Sequence, residues 1–356
     1  MSDLSVQLCG KSLCNPLILS SGPLSWNAEA IQAAFAAGAA AVVTKTIRLQ
    51  ATQNPVPHIA AAGHKSLLNT EGWSDLSAQQ WIDQELPTLS KRNGVLIVSV
   101  GHTASEVEQL AKPLERAGAD ILEVVSYQAK DAAPMVATAK SQVAIPVLVK
   151  VSANWPNLLG IVDACLRAGA DGVTAIDSIG PALRINVEKG KPMLGSFAWL
   201  SGTAIFPIAL WAVAAICLRY NVPVVGTGGV RRAEDVVEMV MAGATAVGVH
   251  TAPLLEGLDW FSKTLTTLGR WLDGHGYACL IDVKGSALSS LREPTSSAPL
   301  DFVFDPEICT HCGYCVMVCA YRARQLLPDG QMALDRARCR SCGLCISVCP
   351  TGALRV

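Results

Sequence analysis

The stretch Ala168-Gly-Ala-Asp-Gly-Val-Thr-Ala-Ile176 carries the chain from a helix end directly into a buried strand. Gly169 suits the position that stops a helix, and the nearly continuous apolar run after it is typical of a strand covered on both faces. The same Ala-Gly-Ala junction stands at Ala37, Ala117 and Ala242, each time ahead of another such run. Working outward, short runs rich in Val, Ile and Leu fall at Leu17–Leu19, Ala41–Thr44, Val95–Val100, Ile121–Val125, Val147–Val151, Gly172–Ile176, Pro223–Gly226 and Ala244–Val249. The long segments between them supply the crossover helices that parallel strands need. Eight such units predict an α/β fold with a closed (β/α)8 TIM barrel rather than an open sheet.

The 356 residues leave room for a barrel of about 250 residues and a smaller module. Net charge is −1 and basic residues run no longer than the pairs Lys91-Arg92 and Arg231-Arg232, so neither nucleic acid nor an anionic membrane is an expected partner. The uncharged segment from Pro192 to Leu218 is long enough to span a bilayer. Gly195, Ser196, Ser201, Gly202, Thr203 and Pro207 break its first half, however, and the remainder reads as a core helix from Pro207 to Arg219. The opening Met-Ser-Asp-Leu-Ser has neither the charged nor the apolar region of a signal peptide, which predicts a cytoplasmic chain with unpaired thiols. Residues 285–299 are rich in Ser and Pro and read as a linker, which sets a barrel domain at 1–284 and a second domain at 300–356.

That second domain holds eight of the thirteen cysteines. Cys309, Cys312, Cys315 and Cys319 have the spacing C-x2-C-x2-C-x3-C, and Cys339, Cys342, Cys345 and Cys349 repeat it 30 residues later, followed by Pro350. Thiolates so spaced give three ligands to one cubane and the fourth to the other. The expected sets are Cys309, Cys312, Cys315 with Cys349, and Cys339, Cys342, Cys345 with Cys319. Two zinc sites are the alternative, but zinc favours paired C-x2-4-C units with longer gaps. The segment resembles a bacterial ferredoxin with two [4Fe-4S] clusters, although Ala320 replaces the first expected proline. Cys9, Cys14, Cys165, Cys217 and Cys279 show no ligand spacing and read as small buried apolar residues.

Phosphate sites of such barrels lie after the seventh and eighth strands. Gly226-Thr-Gly228-Gly229 and Val249-His250-Thr251-Ala252 stand there, with Ser201-Gly202 in the loop after the sixth. Together with Asn15-Pro-Leu-Ile-Leu-Ser-Ser-Gly22, Val43-Thr-Lys45, Asn69-Thr-Glu71, Val147-Leu-Val-Lys150 and Leu200-Ser-Gly-Thr-Ala-Ile-Phe-Pro207, these stretches resemble the FMN barrels of dihydroorotate dehydrogenase and of the pyrimidine-reducing domain of dihydropyrimidine dehydrogenase. The resemblance implies FMN at the C-terminal mouth, held by Ser21, Gly22, Ser201, Gly202, Gly228, Gly229, His250 and Thr251. It implies Lys150 beside the ring nitrogen that carries charge on reduction, and Lys45 at the ring edge.

The chain departs from that family where substrate is read. The family's fourth strand runs into an Asn and then a catalytic Ser or Cys; here the stretch is Glu123-Val-Val-Ser126-Tyr127-Gln128, with Val125 at the Asn position. The sixth strand ends in Asp177-Ser178 instead of Asn-Thr or Asn-Ser, and the loop ahead of Pro134 is short for a lid. Losing two amides disfavours uracil, thymine and orotate as substrates. Tyr127 or Ser126, with Lys45 nearby, are the candidate catalytic groups, Asn69, Glu71, Asp177 and Ser178 the candidate substrate contacts, and His102 a weaker candidate. The expected activity is an iron–sulfur flavoprotein oxidoreductase that exchanges hydride with a small-molecule substrate bearing an activated C=C bond. The alternatives are a non-catalytic electron-transfer subunit and a dihydropyrimidine dehydrogenase with a displaced acid. The expected partner is an NAD(P)H-oxidising flavoprotein subunit or another electron-transfer protein, with a homodimer left open.

Overall fold

The eight apolar runs form the eight strands of a closed parallel barrel in the computed structural model, which describes residues 2–291 and 299–356. They are Leu17–Leu19, Ala41–Val43, Val95–Gly101, Ile121–Val125, Val147–Val151, Gly172–Ala175, Val224–Thr227 and Ala246–Val249. Each pairs with its neighbours in chain order, and the eighth closes on the first with Val247 opposite Leu17. Leu17, Ile18, Leu19 and most of their counterparts are fully buried, because the inward faces fill the barrel and the outward faces lie under helices. The four junction glycines, Gly38, Gly118, Gly169 and Gly243, hold φ between 101° and 111°, a region that a Cβ disfavours. The expected core helix spans Phe206–Arg219, and no helix among the described residues is long and apolar enough to cross a membrane.

Three features differ from the sequence reading. A four-stranded antiparallel sheet is built from two insertions, Ile59–Gly63 with Ser66–Asn69 after the second barrel strand and Ile179–Ala182 with Ala198–Gly202 after the sixth. Ser201 and Gly202 therefore end a strand, where a loop was expected, with Ser201 opposite Leu67 and Trp199 opposite Asn69. The barrel unit also runs on to Leu291. The backbone N–H groups of Gly285 and Ala287 donate to the carbonyls of Val240 and Met241, so the first part of the expected linker packs on the helix Ala233–Met241. Residues 292–298 of that linker lie outside the described residues. Finally, Cys14 is exposed rather than buried, whereas burial pushes the thiols of Cys9 and Cys165 up to about 12 and that of Cys217 to about 11.

The C-terminal unit consists of two similar halves. Strand Val303–Phe304 pairs with Leu354–Arg355 and Arg324–Leu326 with Met332–Leu334, and one short helix follows each cysteine loop, Tyr314–Met317 and Leu344–Ser347. His311 and Ser341, at equivalent places in the two loops, both take positive φ, 54° and 53°.

Candidate active site

The C-terminal ends of the barrel strands open into a cleft. It is lined by Ser21, Gly22, Lys45, Asn69, Glu71, Tyr127, Lys150, Asp177, Ser178, Ser201, Gly202, Gly228, Gly229, His250 and Thr251. Of the barrel residues expected at a site, the structure leaves out Ser126, which is buried and accepts a hydrogen bond from the N–H of Gln128 (3.1 Å). His102 also stands back from the cleft, stacked on the outer face of Trp73 (centroids 5.4 Å apart).

Two lysines enter the cleft from strand ends, each tied to acids. Lys45 is 4% exposed, and its Nζ donates to Glu71 (3.0 Å) and Asp75 (2.7 Å). Asp75 in turn accepts from the Asn54 side chain (2.6 Å), whose oxygen takes the N–H of Gly72 (2.7 Å). This chain of bonds folds the segment after the second strand back over the mouth. Lys150 Nζ lies 3.5 Å from Asp177. Burial works against its charge, but Asp177 and Glu123 outweigh burial and hold the ammonium above the usual lysine range. Beneath it Glu123 is wholly buried, accepts from the Thr174 hydroxyl (2.7 Å), and is pushed by burial toward its protonated form.

Between the seventh and eighth strands the cleft presents backbone. Gly228 and Gly229 take φ of 121° and 83°, and a Cβ on Gly229 would lie 2.7 Å from the backbone of Phe206. Their N–H groups donate to nothing among the described residues. The Nδ1–H of His250 donates to the carbonyl of Ser20 (2.8 Å), which leaves Nε2 as an acceptor, buried and without a partner. Burial pushes this histidine down to about 4, so it is neutral at ordinary pH. Thr251, which opens the next helix, bonds the Ser201 hydroxyl (3.0 Å).

The outer wall is aromatic. Tyr127 lies between Trp73 (centroids 4.6 Å apart) and Trp199 (5.4 Å). Burial, then Asp177 and Glu71, push its phenol above its usual range and keep the proton on oxygen. Only Ser126, Tyr127 and Gln128 separate the fourth strand from the helix Ala129–Gln142, in keeping with the short loop expected there. Trp73 and Trp199 have no motif around them and escaped the sequence reading, as did Asp75.

In the C-terminal unit the eight thiols line two cavities. Cys309, Cys312, Cys315 and Cys349 face one, and Cys319, Cys339, Cys342 and Cys345 face the other. Backbone N–H groups of His311, Ala323 and Ser341 donate to the sulfurs of Cys309, Cys319 and Cys339 at 3.3–3.5 Å. Among the described residues no three His, Cys, Asp or Glu side chains converge on a single-ion point.

Barrel, cleft and thiol cavities define a class of protein, an iron–sulfur oxidoreductase built on a TIM barrel. More particularly, the chain belongs to the dihydroorotate dehydrogenase family, whose match covers residues 3–272, which makes it an FMN-dependent oxidoreductase of the kind acting on CH–CH groups. Residues 308–353 match a 4Fe-4S dicluster domain. The chain is 28% identical over 300 residues to the dihydroorotate dehydrogenase B (NAD(+)) catalytic subunit of Methanothermobacter thermautotrophicus, an alignment covering 80% of this chain and 98% of that protein. It is 31% identical over 275 residues to the catalytic subunit of the same name from Geotalea uraniireducens (71% and 88% covered), and 32% over 273 residues to that from Anoxybacillus flavithermus (72% and 87% covered).

Proposed function

We propose that the chain passes single electrons between two [4Fe-4S] clusters and FMN, and exchanges hydride with an organic substrate carrying an activated C=C bond. The observation that carries this reading is the presence, in one chain, of two four-thiol cavities and a cleft with two buried lysines and an open glycine turn. FMN, when bound, supplies the exchange between one-electron and two-electron chemistry. The cleft fits it on three counts: the free N–H groups of Gly228 and Gly229, the unpartnered Nε2 of His250, and the Lys150 cation. In this reading Gly228, Gly229 and the helix start at Thr251 hold the phosphate. Ser21, Gly22, Ser201, Gly202 and His250 hold the rest of the nucleotide, and Lys45 and Lys150 flank the ring. The thiol sets Cys309, Cys312, Cys315, Cys349 and Cys319, Cys339, Cys342, Cys345 each hold one cubane.

Toward substrate, Trp73, Tyr127 and Trp199 supply an aromatic side to the cleft, while Asn69, Glu71, Asp177 and Ser178 grip the polar edge of the substrate. Tyr127 keeps a proton at Oη for delivery to substrate carbon. The relatives are named for dihydroorotate and NAD(+); the reaction class carries over to this chain, but with Val125 and Asp177 at the amide positions the substrate differs. Electrons are exchanged with an NAD(P)H-oxidising flavoprotein or another electron-transfer protein.

The test is anaerobic reduction of the fully loaded protein, followed by flavin absorbance while candidate substrates are added. A planar activated alkene or heterocycle should reoxidise the flavin, and uracil, thymine and orotate should not. Tyr127→Phe should slow that step about 100-fold to 10,000-fold, the usual worth of a placed acid, with cluster reduction unchanged. Rapid reoxidation by uracil would overturn this view of the site. Silence toward every small molecule, with brisk exchange between proteins, would establish a relay instead.

A further inference from the structure

We propose that Arg324 makes the two clusters unequal, rendering the cubane held by Cys319, Cys339, Cys342 and Cys345 the easier to reduce; this rests on the two-cluster reading above. The halves of the C-terminal unit repeat with an offset of 30 residues, so each position has a counterpart. Arg322 and Gly352 correspond, and both have left-handed φ, 51° and 68°. Two residues further on, the pattern breaks in charge: Arg324 stands where the other half has Leu354. Both side chains are buried, 4% and 2% exposed, and each lines the cavity of one cysteine set, Leu354 that of Cys309 and Arg324 that of Cys339.

The Arg324 guanidinium packs 4.5 Å from the Phe302 ring and forms no ion pair or side-chain hydrogen bond among the described residues. Its Nη2 is shut off from solvent with no acceptor. A buried guanidinium nitrogen with no acceptor is costly, and negative charge in that cavity offsets the cost. A cubane on four thiolates supplies it. Each electron taken up adds one negative charge, and a fixed cation with a free N–H favours the reduced form; net charge and hydrogen bonds to sulfur are the levers that set cluster potentials. Arg324 is not among the residues lining the cavity of Cys309, Cys312, Cys315 and Cys349, and the cluster held there is affected less.

The test is a potentiometric titration of the holoprotein followed by electron paramagnetic resonance. The wild type should show two separated cluster couples. In Arg324→Leu the higher couple should fall by about tenfold in its reduction equilibrium, about 59 mV for one electron, and the lower couple should move less. Arg324→Lys should keep most of the separation. Should Arg324→Leu fail to assemble, Arg324→Gln, which keeps N–H donors but not charge, carries the same expectation. Unchanged couples in either neutral variant with eight irons retained, or a larger shift in the lower couple, would overturn the proposal. Four irons per wild-type chain would instead show that the two-cluster reading had failed.

Discussion

Replacing Lys150 with methionine removes the cation at the end of the fifth barrel strand while keeping the length of the side chain. Asp177, 3.5 Å away, is then left without its counter-charge. Reduction places negative charge on the ring, so this variant should lower the flavin potential. A charge-assisted hydrogen bond in a buried site is worth about 1.5–3 kcal/mol. With about 1.4 kcal/mol per 30 mV for a two-electron couple, the expected fall is about 30–60 mV. Asp177→Asn should act in the opposite sense, because it frees the same cation from its partner. The assay is equilibrium reduction against a reference dye, read at the flavin band with cluster absorbance subtracted, on protein with stoichiometric FMN. Unchanged potentials in both variants, or shifts of the same sign, would refute the placement of Lys150 at the flavin.

His250 and Gly229 provide further checks. The folded-state value of about 4 for His250 lies below the unperturbed value of about 6.5, so the unfolded chain binds more protons between these limits and stability rises with pH across that window. The His250 contribution should cost about 2 kcal/mol at pH 5 relative to pH 7, and urea midpoints of His250→Gln should lack that part of the slope. Gly229→Ala forces a left-handed residue against Phe206, at a cost of about 2 kcal/mol or more. It should lower Tm and abolish FMN binding while leaving iron content unchanged; retained FMN affinity would remove the glycine turn from the phosphate site.

The barrel was legible because its signals are local. A strand covered on both faces announces itself in four or five consecutive residues such as Val147–Val151, and a helix stop in one glycine such as Gly169. The grouping of the thiols is local too, since three of the four cysteines lining each cavity fall within one loop and the fourth comes from the other half of the repeat. The mouth of the barrel was only partly legible. Asn69, Glu71, Lys45 and Lys150 carry their meaning through resemblance, but the sheet over the cleft pairs Asn69 with Trp199, 130 positions apart. Such pairing leaves little periodicity in Ala-rich segments like Ile59–Gly63. Trp73, Tyr127 and Trp199 come from the segments after three different barrel strands, so no spacing links them, and the tie between Lys45 and Asp75 depends on how the segment through Asn54 folds back. Arg324 resembles any strand arginine until the two halves are superposed.

The central claim, that one chain joins a flavin to two cubanes, is tested most directly by counting FMN, iron and acid-labile sulfide in anaerobically purified and reconstituted protein. The account predicts one FMN, eight irons and eight sulfides per chain, from the two four-thiol cavities and the single glycine-lined cleft. Four or fewer irons, bound zinc in their place, or a protein with no affinity for FMN would contradict it.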